Sequence, residues 1–96
     1  AGGIVYDGRD AQGLHCAAML FLVSSMLEDI GELSPATADA GRYLAVAILQ
    51  QLPGTDRQKM QAIKQRFGRI MDTRSPEELG REYLRSSKWC EREFLR

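Results

Sequence analysis

Apolar side chains recur at steps of three and four residues along most of the chain, with polar side chains between them. This spacing places apolar groups along one side of an α-helix, and four segments show it. Short stretches that contain proline or glycine separate the segments, and such residues favour turns and helix ends. The sequence therefore predicts an all-α fold with helices over about residues 10–31, 35–52, 56–73 and 76–95.

The predicted helices begin and end at residues suited to those positions. Ser34 and Ser75 each precede a proline, and Thr55 precedes an aspartate. A hydroxyl at this position caps the first helical turn, and proline is well tolerated directly after it. Asp10 is the predicted cap of the first helix, and Gly31 is its predicted end.

The first two helices carry more apolar surface than one face requires. In the first helix Phe21 and Leu22 lie opposite the main apolar stripe, and in the second Val46 and Leu49 extend the apolar side. A helix that is apolar nearly all round lies at the centre of a fold or is covered by a partner. We expect a homodimer, a partner protein or the N-terminal arm to cover this excess. The main inward face predicted for the second helix consists of Ala40, Leu44, Ala47, Ile48 and Leu52.

The connections between the predicted helices are only a few residues long. Short connections make consecutive helices antiparallel, which gives an up-down four-helix bundle built of two helical hairpins. Residues 1–9 are rich in glycine and are predicted to form an extended arm. The 96 residues form one predicted domain, since a second would need a longer chain.

The two cysteines, Cys16 and Cys90, fall on the inward sides of the first and last helices. In an up-down bundle these helices are antiparallel neighbours, so both sulfur atoms lie at the same level. Cysteines bridge when their Cα atoms lie within about 7 Å. We therefore predict a disulfide and an oxidising compartment, either the periplasm or the exterior, with a signal sequence already removed. The alternative is two free buried thiols in a cytoplasmic protein.

Charge marks a possible contact surface in the second half of the chain. The 13 basic and 13 acidic side chains cancel overall, but residues 1–50 carry six acidic and two basic groups, a balance of −4. The third helix is strongly basic, and Lys64, Arg66 and Arg69 are candidate partner-binding residues. Trp89, which shares a helix face with Arg85 and Arg92, is another candidate, because half-exposed tryptophans often anchor partners. An isoelectric point near 6.8 and the lack of a docking motif argue against a nucleic-acid partner.

Candidate catalytic chemistry is sparse. His15 and Cys16 are adjacent on a helix and therefore turned about 100° apart, which is poor geometry for a nucleophilic pair. The cysteines lie far apart in sequence and lack the close ligand pairs of structural zinc sites. We expect no enzymatic activity, no cofactor and no metal. The longest apolar run, residues 16–23, is far shorter than the roughly 20 residues of a membrane span, so no transmembrane segment is predicted.

The general layout, a short helical domain with cysteines near both ends, is similar to that of small periplasmic helical proteins such as acid-stress chaperones and immunity proteins. No sequence motif carries this likeness. We predict a non-enzymatic exported protein that binds another macromolecule as an accessory subunit, an inhibitor or immunity protein, or a chaperone. One alternative is a lipid or hydrophobic-ligand carrier with a cavity lined by methionines. A second is an intracellular regulator with free thiols.

Overall fold

The computed structural model describes residues 4–95, and these residues form four helices and no strand. Residues 1–3 of the predicted arm and Arg96 lie outside the described part. The helices are α1 (Gly8–Asp29), α2 (Pro35–Leu49), α3 (Asp56–Thr73) and α4 (Pro76–Phe94). The predicted all-α fold with four helices is confirmed.

Local capping explains where three helices begin. The Ser34 hydroxyl accepts a hydrogen bond from the Thr37 N–H of α2 at 3.2 Å. Thr55 and Ser75 each form a reciprocal capping box with the residue three positions later, at the starts of α3 and α4. Such caps satisfy N–H groups that have no partner inside the helix. The first helix begins two residues before its predicted start and follows Asp7 rather than Asp10, without a side-chain cap.

The central element is α1, which contacts α2, α3 and α4. It is regular over Gly8–Ala18 and Ser24–Asp29, and between them Met19–Val23 forms a π-helical stretch in which the Ser24 N–H bonds to the Met19 carbonyl. A π turn contains an extra residue and so rotates the two regular stretches relative to each other. Because α1 packs against helices on several sides, it carries apolar side chains around most of its circumference.

Helices α1 and α2 approach each other closely at Gly41. A Cβ atom at this position would lie 2.5 Å from the Ser24 hydroxyl and 2.9 Å from the Leu20 carbonyl oxygen, so only glycine fits. The inward face of α2 accordingly contains the small residues Ala38, Gly41 and Ala45, whereas the predicted Ala40 is exposed. Small residues let the two helix backbones approach each other. The burial of Ala38, Gly41 and Ala45 cannot be predicted from the positions of large apolar side chains.

The predicted disulfide is present between Cys16 of α1 and Cys90 of α4. The two Cα atoms lie 5.8 Å apart, and both side chains are buried. A second link between the same helices is the buried hydrogen bond between the Ser24 and Tyr83 hydroxyls, at 2.7 Å. The first and last helices are therefore joined at two levels.

By length and composition alone, α1 is apolar enough to cross a membrane, although the sequence predicts no transmembrane segment. More than half of its apolar stretch is buried against the rest of the fold. The central helix of a globular domain has the same apolar composition as a membrane-spanning helix.

The described part of the arm turns back onto the helices. Tyr6 packs against the core, and its hydroxyl donates a hydrogen bond to the Pro53 carbonyl at 2.7 Å, in the loop between α2 and α3. Val5 is almost fully exposed. The arm thus lies beside that loop, and the exposed Val46 of α2 remains uncovered.

Candidate binding surface

The outward side of α4 is basic. Arg81, Arg85, Lys88 and Arg92 follow one another at steps of four, three and four residues, and all four are exposed. Residues at this spacing lie along one face of a helix. We call this row the basic ridge.

A groove runs along one flank of the basic ridge, between α4 and the N-terminal half of α1. Its volume is about 610 Å³. Arg85 and Arg92 line it from α4, and Arg66 reaches it from α3. None of these three guanidinium groups has a hydrogen bond or an ion pair with any residue in the described part of the chain. We call this site the arginine groove.

Trp89 gives the arginine groove an aromatic wall. The indole is half-buried and meets the Phe94 ring edge-on, with the ring centroids 6.2 Å apart and the planes at 68°. Phe94 is itself held by the Arg9 guanidinium, which lies 4.3 Å from its ring centroid and donates a hydrogen bond to the Glu93 carbonyl. Edge-to-face and cation–π contacts of this kind restrict the ring positions, so the wall is preorganised.

Glu82, which contacts the groove residue His15, is already paired with basic side chains. Glu82 accepts hydrogen bonds from Arg74 and from the His15 Nε2, which lies 3.0 Å away. Partial burial acts to raise the pKa of Glu82, but the hydrogen bonds from Arg74 and His15 outweigh it and the pKa is lowered. Because Glu82 is engaged in this way, it does not act as a counter-ion for the three groove arginines.

The structure brings two of the sequence-predicted contact residues together: Arg66 and Trp89 line the same groove, although they lie on different helices. Lys64 and Arg69 are exposed on α3 outside it. In the sequence, Arg85 and Arg92 stand out only as residues that share a helix face with Trp89, and the predicted basic surface lies on α3. The regular spacing of the basic ridge on α4 is the sequence signal that points to the groove.

The apolar candidates of the first two helices lie elsewhere. Leu49 is buried in the core, so it is not available at the surface. Phe21 and Leu22 are half-buried and pack against the core. Only Val46 is substantially exposed, at 44%. These four residues therefore do not form one continuous exposed apolar patch.

The other flank of α4 carries a second groove of about 490 Å³, which is largely apolar. Leu27, Ile30 and Leu33 line one side, and Tyr83 and Leu84 line the other. Ile30 and Leu84 are more than half exposed. Neither this groove nor the arginine groove is lined by a methionine.

Residues 4–95 contain no group of three histidine, cysteine, aspartate or glutamate side chains placed to hold a metal ion. The arginine groove offers three guanidinium groups that can pair with anions and an indole that can pack against apolar groups. Comparison with known protein families, curated proteins and solved structures finds no match to this chain.

Proposed function

We propose that this protein is a non-enzymatic, exported helical protein that acts by binding another macromolecule, and that the arginine groove and basic ridge form its contact surface. The observation that carries the proposal is the convergence of Arg66, Arg85 and Arg92 on one groove, where none of the three has an ion pair with any of residues 4–95. Arginine and tryptophan are the residues most enriched among those that dominate binding energy at interfaces, and Trp89 lies among the three arginines.

The three guanidinium groups of the groove have no ion pair within residues 4–95 and can each pair with an anionic group of a ligand. An anionic ligand would gain charge-assisted hydrogen bonds from these guanidinium groups, which are stronger than hydrogen bonds between neutral groups. Positive groups on a partner-binding surface also steer an oppositely charged partner toward it and exclude partners of the same charge. Glu82 is paired with Arg74 and His15, so its carboxylate is already engaged by other groups.

The Cys16–Cys90 disulfide supports an extracytoplasmic location, in the periplasm or outside the cell. Disulfides persist in oxidising compartments and are rare in the reducing cytosol. Small domains with a modest core also gain most from such a crosslink.

The contact surface is tested by affinity capture from an extract of the native host. The wild type is compared with an Arg85→Gln/Arg92→Gln variant and with an Arg57→Gln/Lys64→Gln variant, which removes two exposed charges of α3 outside the groove. We expect a macromolecule retained by the wild type and the control but lost from the groove variant. Equal retention by all three proteins would refute the assignment of the groove.

The compartment is tested separately. Host cells are lysed directly in a denaturant that contains a maleimide reagent, so that buried free thiols are exposed and blocked, and the protein is then isolated and analysed by mass spectrometry. Export predicts unmodified, disulfide-bonded Cys16 and Cys90. Modification of both cysteines would contradict it.

A further inference from the structure

We propose that the occupant of the arginine groove is a short acidic peptide segment of a partner protein, with carboxylates paired to Arg85 and Arg92 and an apolar side chain packed against Trp89. This inference rests on the proposed function and specifies the chemistry of the partner. It follows from the spacing of the charges, from the single aromatic wall and from the acidic groups around the groove.

The spacing of the arginines favours a ligand with separated anionic groups. Arg85 and Arg92 are seven residues apart on one helix, so their backbones are offset by about 10.5 Å along the helix axis. In a polyproline II peptide, which has three residues per turn, side chains three residues apart lie on the same side and are offset by about 9.3 Å. Two carboxylates at that separation meet both guanidinium groups without bringing the two positive charges together. Arg66, on α3, also lines the groove and can contact the same ligand.

The aromatic lining favours a peptide over a nucleic acid. Proteins that hold single-stranded nucleic acids present a series of aromatic rings on which successive bases stack. The arginine groove has one such ring, the indole of Trp89. A single half-buried ring suits one apolar or aromatic side chain of a peptide, which would bury against it.

The charges around the groove favour a short ligand over a long polyanion. Glu91 and Glu93 flank Arg92 and are exposed, and Glu77 is exposed at the other end of α4. A nucleic acid or an anionic membrane would extend past the groove onto these carboxylates. A short acidic segment fits between these groups.

The test uses the fluorescence of Trp89, the only tryptophan of the chain, which reports directly on the groove. The probe is a synthetic, capped six-residue peptide without tryptophan, containing two glutamates three residues apart and a leucine between them. One matched peptide replaces both glutamates with glutamine, and another replaces the leucine with serine. We expect a saturable blue shift with the acidic peptide and at least tenfold weaker binding of the glutamine peptide, because hydrogen bonds to charged groups are worth that much. The serine peptide should also bind more weakly.

Protein variants complete the experiment. Arg85→Gln/Arg92→Gln should weaken binding of the acidic peptide at least tenfold, whereas Arg57→Gln/Lys64→Gln should leave it within twofold of the wild type. Circular dichroism checks that both variants are folded. A single-stranded oligonucleotide, vesicles containing anionic phospholipid and inorganic phosphate, each tested alone, should leave the Trp89 spectrum unchanged at the concentration that saturates with peptide.

Two results would overturn this inference: no spectral change with the acidic peptide at millimolar concentration, or tighter binding of the oligonucleotide, the vesicles or phosphate. Either result leaves the proposed function standing if affinity capture still depends on the groove arginines. Capture that is indifferent to those arginines refutes the proposed function itself, so the two failures are distinguishable.

Discussion

Breaking the disulfide should remove a large part of the stability of this domain. Cys16 and Cys90 are separated by 74 positions in the sequence, so the crosslink closes most of the chain into one loop. In the chain-entropy treatment, a loop of this length restricts the unfolded chain by about 4.5 kcal/mol at 25 °C. A domain of 96 residues is expected to have a total unfolding free energy of about 5–14 kcal/mol. The reduced protein should therefore lie close to the limit of folding.

The assay is urea unfolding followed by far-UV circular dichroism, on the oxidised protein and on the same protein with a phosphine reductant. With a slope of about 1.5 kcal/mol per molar urea, reduction should lower the midpoint by about 3 M. A Cys16→Ala/Cys90→Ala variant serves as the control, since its midpoint should be low and insensitive to the reductant. A difference of less than about 1 kcal/mol between oxidised and reduced protein would refute the reasoning, because the crosslink would then not restrict the unfolded chain as its span requires.

Four further substitutions are measured by urea unfolding: three test contacts of α1 with its neighbours, and Gly68→Ala is a control. Gly41→Ala should lower the free energy of unfolding by about 1–3 kcal/mol, because its Cβ would collide with the Leu20 backbone. Gly68→Ala, which has open space around it, should raise this free energy by about 0.5–1 kcal/mol. If both variants changed the free energy of unfolding in the same direction, the close crossing would be contradicted. Tyr83→Phe should lower the free energy of unfolding by about 1–3 kcal/mol, because it leaves the buried Ser24 hydroxyl without its hydrogen-bond partner. A decrease of less than about 0.5 kcal/mol would contradict this and show that the hydroxyl has another partner. The lowered pKa of Glu82 means that its carboxylate stabilises the fold above the ordinary pKa of 4.5, and this contribution is lost as the pH falls through the lowered value. The advantage of the wild type over Glu82→Gln should therefore be present at pH 6 and shrink toward pH 3, and an advantage that grows on acidification would contradict this sign.

The helices could be predicted from the sequence because their signals are local. Each of Ser34, Thr55 and Ser75 lies directly before a helix and accepts a hydrogen bond within the first turn. The disulfide was also predictable, since up-down topology brings the ends of the first and last helices together. The end of α2 is less well marked by local signals. The helix ends at Leu49, and the N–H groups of Gln51 and Leu52 then bond three residues back in tighter turns that still bury Leu52.

The inward face of α2 and the π-helical stretch of α1 could not be predicted in this way. The face includes Ala38 and Gly41, whose burial depends on close approach of backbones rather than on apolar area. The π turn over Met19–Val23 shifts the helical period in the middle of an apolar run, where no polar residue marks the change. Both features depend on how α1 and its neighbours fit together in three dimensions.

The arginine groove was accessible to sequence analysis only in part. Trp89, Arg85 and Arg92 share one face of a single helix, so their proximity follows from helical geometry. The addition of Arg66 depends on how α3 lies against α1, and the engagement of Glu82 by His15 and Arg74 joins three separate segments. Long-range contacts of this kind decide which charges are free to bind a partner.

The most direct test of the account places a photo-crosslinking amino acid at Gln12, an exposed residue that lines the arginine groove, and in a second protein at Arg57, outside it. Both proteins are expressed in the native host and irradiated, and adducts are identified by mass spectrometry. The account predicts a partner-protein adduct at Gln12 that is absent at Arg57, with the crosslink mapping to an acidic segment of that partner. An adduct formed only from Arg57, or equally from both positions, would contradict it.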